Sequence, residues 1–353
     1  MRKYLNRILL FITYMVEKHK VQKLCVNNQY LEEGEYSFYY LGRSYLVKEG
    51  VPIEFLWRIG VKEIPFVLKT IHVKKNSEKT SGFAAQVLMT TASGVRYFDY
   101  KRNLVYKEFN NIQESVTYRN AISAFTPYFQ NACISVTDNY VLEKIVKTEP
   151  RSDWGVNGLM SNFCKVGYLY ENYLSTLCEN DKTNKSFVNI LQRSIYPAEV
   201  SRLSSILVSS FDTSKQYLFI PCHGDLHFGN TLFEKGIVYL IDFDEFRKEV
   251  FFYDIFNMIY VDFVDVNSTS LIDAYLSEDQ CAMSLFDGLF SAVGLNFERE
   301  KKLDYVRYYM YRRLIHDIDD ALNNHKGRTK DYLIKTRCNK VKKLYDYIKG
   351  KEY

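Results

Sequence analysis

The sequence predicts an α+β chain of bilobal organisation, and three observations carry that reading. Positions 25–110 are filled by short alternating runs rich in β-branched and aromatic residues, which read as strands joined by hairpins. Beyond Pro150 apolar residues recur at helical spacing instead. A β-rich island at 217–246 interrupts the helical half. Strands first and helices second, with a hairpin region embedded among the helices, is the α+β order, here an antiparallel β-rich N-lobe and a mainly helical C-lobe.

Element by element, the N-terminus places Leu5, Ile8, Leu9, Ile12, Met15 and Val16 on one face of an amphipathic helix. Asn6 and Arg7 interrupt the apolar run and no small-residue cleavage site follows, so it is not read as a signal peptide. The runs YSFYYL, SYLVKEG, FVLKTIHV, AAQVLMTT, VRYFDY and LVYKEF are the expected strands. A helical pattern occupies 111–125, and ISVTDNYVLEKIV forms two strands around a turn at Asp138-Asn139. Helical periodicity then covers 158–180, 186–212, 267–293 and 298–350. The expected division is an N-terminal extension over 1–80, possible extra strands of the same lobe, a nucleotide-binding lobe over 81–147, and a helical lobe over 148–353.

Six Pro and sixteen Gly in 353 residues leave no room for long linkers. The 30 Tyr read as half-buried residues whose rings pack while their hydroxyls stay wet. Seven Cys, odd in number and without a CxxC pair, read as buried thiols of a reducing compartment, neither a disulfide frame nor a zinc site. No run reaches membrane-spanning length, and a cytoplasmic protein is expected. The net charge of +5 is uneven: residues 326–351 hold ten Lys or Arg against two Asp. Ile334, Cys338, Val341, Leu344 and Ile348 recur at helical spacing through that tail. It reads as the last helix of a domain with a solvated basic face, with peripheral membrane contact as the alternative. No nucleic-acid-binding motif accompanies the basic tail, so no nucleic acid partner is expected.

The chemistry concentrates in CHGDLHFGN at 222–230 and IDFDEF at 241–246. Asp225 and Asn230 share one turn-rich loop, and the apolar run 237–241 delivers Asp242 back towards them after a turn at Lys235-Gly236. A carboxylate where a buried strand ends needs a cation or a donor. One carboxylate to orient an attacking hydroxyl, with further hard oxygen donors for magnesium, is what phosphoryl transfer asks of a protein. The stretch resembles the catalytic loop and metal-binding Asp of the kinase-like superfamily, H-x-D-x-x-x-x-N followed by D-F-x. More closely, His223-Gly224-Asp225-Leu226-His227-x-Gly229-Asn230 resembles the aminoglycoside phosphotransferase and choline kinase branch. FFYDIFN, with Asp254, is similar to that branch's G-D-P-x-x-D segment, without its Gly and Pro. Gly224 stands where protein kinases carry an Arg, and eleven residues between Asp242 and Asp254 leave little room for an activation loop. A small-molecule acceptor is favoured over a protein.

The resemblance implies a protein-kinase-like fold and a set of roles. Asp225 orients the acceptor hydroxyl; Asn230 and Asp242 bind Mg2+. Lys107, in LVYKEF, holds phosphates of ATP, with GTP as the alternative nucleotide. Glu114 either pairs with Lys107 or serves as a first-turn carboxylate of its helix. Ser93 and Gly94, in TTASGV, form a thin glycine loop, and Glu143 and Ile145 lie in the segment resembling the adenine-binding hinge. His223 braces the loop, His227 packs it or meets phosphate, Asp244 is a second metal or loop ligand, and Asp254 holds backbone N–H groups of the loop. Asp262, Asp265, Asp317, Asp319 and Asp320 either receive a cationic acceptor or form a solvated helix face. The function implied is an ATP- and Mg-dependent phosphotransferase acting on a hydroxyl of an aminoglycoside, a choline-like molecule or a cell-envelope sugar. The alternative is a nucleotide-binding pseudokinase acting as a scaffold.

Overall fold

The computed structural model describes residues 16–25, 29–40, 44–52, 56, 70–73, 83–91, 94–149, 151–187, 196–209, 216–325 and 327–351. The amphipathic run expected over residues 5–16 lies almost wholly outside them; helix is described from 16 to 25. The chain divides into two compact units, residues 1–120 with 131–148, and residues 121–130 with 149–353.

The first unit is built on one antiparallel sheet. Its strands are β1 (Gly34–Tyr40), β2 (Ser44–Lys48), β3 (Thr70–Val73), β4 (Val87–Thr91), β5 (Gly94–Asp99), β6 (Leu104–Glu108), β8 (Cys133–Val136) and β9 (Tyr140–Lys144); the two-residue β7 (Gln130–Asn131) is not part of it. Their spatial order is β3-β1-β2-β4-β5-β6-β9-β8. Strands from the first 80 residues therefore join the same sheet as those that follow. Side chains alternate as the pleat requires. Tyr36, Phe38, Leu46, Leu88, Tyr97 and Tyr106 form the core on one face. Tyr39, Tyr45, Val47, Val87, Met89, Phe98 and Val105 form it on the other. With both faces buried, Tyr cannot stay half wet. Tyr36 is fully buried and its hydroxyl donates to Glu32 O at 2.7 Å; Tyr106 donates to Tyr30 at 2.8 Å. The wet-hydroxyl expectation fails for these residues because the sheet supplies internal partners for them.

The second unit is mainly helical. Its helices are Gly155–Ser175, Ala198–Leu207, Tyr253–Asp265, Ser270–Leu276, Gln280–Ala292, Lys302–Asn324 and Gly327–Lys349. Two of the long periodic stretches are broken. Glu278 takes a positive φ of 60°, and the Asp279 carboxylate caps the next helix by accepting from Cys281 N and Ala282 N. His325 is extended and Gly327 has φ 55°, which separates the last two helices. Among the helices lie β10 (Thr183–Ser186), β11 (Gln216–Cys222), β12 (Thr231–Glu234), β13 (Ile237–Leu240) and β14 (Arg247–Val250). β11 pairs with β10 and β14, and β12 with β13. The RKEV sequence of β14 carries no strand pattern; its register against β11, Phe219 to Val250, holds it.

Ile334, Cys338, Val341, Leu344 and Ile348 are all buried, so the apolar stripe of the basic C-terminal helix is used up in packing. No helix among the described residues is long and apolar enough to cross a membrane. Contrary to the expectation of isolated thiols, Cys164 and Cys281 are disulfide-bonded. They are 117 residues apart, brought together by the packing of helices Gly155–Ser175 and Gln280–Ala292, which cysteine spacing does not encode.

Candidate active site

β11 ends at Cys222 and hands the chain to a loop, 223–230, that is held from below by one carboxylate. Asp254 opens the helix Tyr253–Asp265 and is fully buried. It accepts from His223 N at 2.7 Å, Gly224 N at 2.9 Å and Tyr170 OH at 3.1 Å. Burial raises its pKa, and the two backbone donors and His223 oppose that rise. The anchoring role read for Asp254 is thus visible bond by bond. His223 is also fully buried and bridges the loop to the hairpin. Its Nδ1 lies 3.4 Å from Asp225 N and its Nε2 3.0 Å from Ile241 O. Gly224 has φ +84°, and a Cβ there would lie 1.9 Å from Glu245 O. Only glycine fits.

The hairpin brings the other two residues of the predicted set to the loop. Thr231 pairs with Leu240, and Ile241 N donates to Asn230 O at 3.1 Å, so Asn230 and Asp242 flank the same end of the β12–β13 ladder. Asp242 adopts a left-handed conformation, φ 66° and ψ 59°, which Asp tolerates better than most residues. Asn230 is buried, and its Nδ2 donates to Asp225 O at 2.9 Å. That bond takes up the amide NH2 and leaves the oxygen as the acceptor end of the side chain. A carboxamide oxygen and a carboxylate at one hairpin end fit a hard divalent cation, which also takes oxygens from phosphates and water. Among the described residues no group of three or more His, Cys, Asp or Glu forms a ready metal cage.

Asp225 itself is surrounded by donors. Oδ2 lies 3.4 Å from His227 Nε2 and 3.4 Å from Asn230 Nδ2. Oδ1 lies 3.3 Å from Asn257 Nδ2 and 3.4 Å from Arg313 Nη1. Burial alone would raise its pKa; His227, Arg313 and His223 outweigh burial and hold the carboxyl well below the usual range. Asn257 and Arg313 are absent from the sequence reading. Asn257 sits three residues after Asp254 in FFYDIFN, and Arg313 lies 88 residues from Asp225.

The acidic residues considered for a cationic acceptor already have partners. Asp317 pairs with Arg313, Asp320 with Arg337, Asp265 with Lys340 and Asp262 with Arg151, while Asp319 accepts from Tyr196 OH.

The nucleotide-side residues belong to the first unit. Lys107 is buried on β6, its Nζ 5.8 Å from the centroid of the Tyr118 ring, whose hydroxyl donates to Glu143. Lys107 pairs with Val141 and Val105 with Glu143, so Lys107 and Glu143 share one sheet face. Glu114 does not pair with Lys107. It accepts from Asn110 N at 2.8 Å and Asn111 Nδ2 at 3.1 Å, while Asn111 Oδ1 accepts from Glu114 N. This is a capping exchange at the start of the helix Ile112–Phe125, and it takes up the carboxylate. Gly94 opens β5 with φ +125°, opposite Thr91; Ser93 lies outside the described residues. Ile145 donates its amide to Asn103 O at 2.7 Å, so that N–H is not open to a base.

A model described as the phosphotransferase enzyme family matches residues 216–288, the segment that carries the loop, the hairpin and Asp254. The resemblance read from 223–230 is borne out over that segment. No curated protein sequence matches the chain. Among solved structures, it is similar to a glucosamine kinase in complex with glucosamine, ADP and inorganic phosphate. The identity is 13%, covering 76% of this chain and 80% of that one, with a TM-score of 0.46. A choline/ethanolamine kinase family protein from Mesorhizobium loti aligns at 10% identity over 83% and 95%, TM-score 0.45. An amicoumacin kinase bound to AMP-PNP, Ca2+ and Ami aligns at 16% over 71% and 85%, TM-score 0.43. Likenesses this loose transfer neither a ligand nor a residue role.

Proposed function

We propose that the chain is a small-molecule phosphotransferase that uses Mg-ATP to phosphorylate a hydroxyl. The observation that carries this reading is the joint placement of Asp225, Asn230 and Asp242 by one anchored loop and one hairpin. Asp225, kept ionised, accepts a hydrogen bond from the acceptor hydroxyl and orients its oxygen. Asn230 and Asp242 supply the oxygens for magnesium. Lys107, with Glu143 on its face of the sheet, is the residue for the phosphates. Bound Mg-ATP supplies the phosphoryl group and most of the charge that must be neutralised. Transfer of this kind needs positioning and counter-charge more than covalent chemistry.

For the acceptor, the pairing of Asp262, Asp265, Asp317, Asp319 and Asp320 weighs against a polycation and favours a neutral polyhydroxyl molecule such as a sugar. A scaffold without chemistry has no need of Asp225, Asn230 and Asp242 together. The test is ADP release with Mg-ATP against pooled aminoglycosides, choline and ethanolamine, and envelope sugars. Acceptor-stimulated release is expected for the wild type and a drop of about 10²- to 10⁴-fold for Asp225→Asn, with ATP affinity nearly unchanged. Equal loss of ATP affinity and turnover in Asp225→Asn would refute its role, and tight Mg-ATP binding without turnover on any acceptor would favour the scaffold.

A further inference from the structure

One fully buried carboxamide stands between the Asp225 carboxylate and the helix Lys302–Asn324. Asn257 Nδ2 donates to Asp225 Oδ1 at 3.3 Å and to Leu226 O at 3.1 Å. Its Oδ1 accepts from Tyr309 OH at 2.8 Å and from Arg313 Nη1 at 3.0 Å. A carboxamide has nearly the same shape either way round, so some neighbour must decide which end meets the carboxylate. Arg313 decides it. A guanidinium has donors and no acceptor, so the atom of Asn257 that faces Arg313 is the oxygen, and the NH2 faces Asp225 and Leu226 O. Turned over, the amide would set an oxygen against a carboxylate and an NH2 against a guanidinium. Arg313 is held in turn by Asp317, whose Oδ1 lies 3.2 Å from its Nε. It also reaches Asp225 Oδ1 directly, at 3.4 Å.

We propose that Arg313 and Asn257 are the positioning residues of Asp225: Arg313 sets the sense of the Asn257 amide, and the amide holds the carboxylate in the rotamer that meets the acceptor hydroxyl. The assignment rests on the phosphotransferase reading. It makes the helix Lys302–Asn324 part of the active machinery, although that helix lies outside the segment matched by the family model.

The test is steady-state kinetics with Mg-ATP and the acceptor that the wild type phosphorylates, alongside thermal midpoints. Asn257→Asp puts a carboxylate against Asp225 while keeping side-chain size and the Arg313 partner. Arg313→Gln removes the donor-only group and allows the amide to turn. Both are expected to lower kcat by about 10- to 100-fold, the scale of an ångström-level misplacement, with KM for ATP within about twofold. Arg313→Lys, which keeps a cation without an acceptor, is expected to retain more kcat than Arg313→Gln. Values of kcat within about threefold of wild type in Asn257→Asp and Arg313→Gln overturn the assignment while leaving the phosphotransferase reading intact. So does a fall in kcat that tracks a matching rise in KM for ATP and loss of thermal midpoint, which marks a structural role. If Arg313→Gln does not fold, Asn257→Asp and Arg313→Lys decide. A wild type inactive on every acceptor removes the reaction, and this role with it.

Discussion

A methyl group at position 224 has nowhere to go. The carbonyl of Glu245 stands 1.9 Å from where it would sit, and φ +84° is strained for any L side chain. Gly224→Ala is therefore expected to cost about 3 kcal/mol of stability, through clash and backbone strain together, which a urea transition measures. Because His223 and Gly224 share the Asp254 carboxylate, turnover should fall further than stability alone accounts for. A second buried carboxylate makes a pH prediction. Glu249 is fully buried and receives Arg312 through Nε at 2.9 Å and Nη2 at 2.7 Å, with His316 as a third partner. Burial raises its pKa, and His316 and Arg312 overcome burial to bring it down to about 2 from an ordinary 4.5. A depressed carboxylate stabilises the fold above its unfolded pKa, and that stability is lost as pH falls from 4.5 towards 2. The amount is about 3 kcal/mol. Burial lowers the pKa of His316 against the pull of Glu249, so protonation favours the unfolded chain and acidification below 6.5 destabilises in the same direction. Urea midpoints should drop as pH falls below 6.5 and most steeply from 4.5 towards 2. In Glu249→Gln they should start lower and fall less.

At the scale of elements, the β12–β13 hairpin brings Asp242 to the loop, and the proposed metal role rests on that placement. Asp242→Ala is expected to abolish the magnesium dependence of nucleotide binding, and calorimetry with ATP in EDTA and in Mg2+ checks it; unchanged Mg-ATP affinity would rule out the metal role. The start of the helix Ile112–Phe125 separates two readings of Glu114 in a similar way. Removing its capping exchange with Asn110 and Asn111 by Glu114→Ala should cost about 1 kcal/mol. Nucleotide affinity should stay within about threefold, well short of the tenfold that 1.4 kcal/mol would bring. What was legible in the sequence follows from these elements. The loop and hairpin lie within twenty residues, 223–242, so residue type and spacing were enough to show their resemblance to the phosphotransferase family. The strands of the first unit were legible because short runs rich in β-branched and aromatic residues read as strands even when both faces are buried. The two partners of Asp225 outside the loop were not, because Asn257 and Arg313 reach it only through helix packing across 32 to 88 residues. Glu114 could be read two ways because capping and pairing with a lysine favour the same residue type. β14 was hidden because its strand character comes from its partner and not from RKEV.

At the scale of the whole molecule, the basic tail is architecture. Its charge invites a membrane, yet its apolar residues face inward, and many of its cations have protein partners. Arg337 meets Asp320, Lys340 meets Asp265, Lys343 meets Asn267 and Lys351 meets Asp273. The helix Gly327–Lys349 packs on Lys302–Asn324, Ala198–Leu207 and Tyr253–Asp265. The first of these carries Arg313 and the last carries Asn257, so the tail braces the two helices that reach Asp225. Burying each of Ile334, Val341, Leu344 and Ile348 contributes about 1.5–3 kcal/mol. Their sum is comparable to the whole net stability of a typical domain, about 5–15 kcal/mol. Deleting residues 326–353 is therefore expected to remove the cooperative urea transition of the second unit rather than merely lower its midpoint. Lys335→Gln with Lys349→Gln, both on the exposed face, should leave that transition where it is. Flotation with vesicles rich in anionic lipid at 150 mM salt should recover little of the wild type, since no apolar stripe remains to insert. Strong flotation lost in the double Gln variant would mean that the basic face alone binds the surface. A truncated chain that still unfolds cooperatively would show instead that the helix is an appendage.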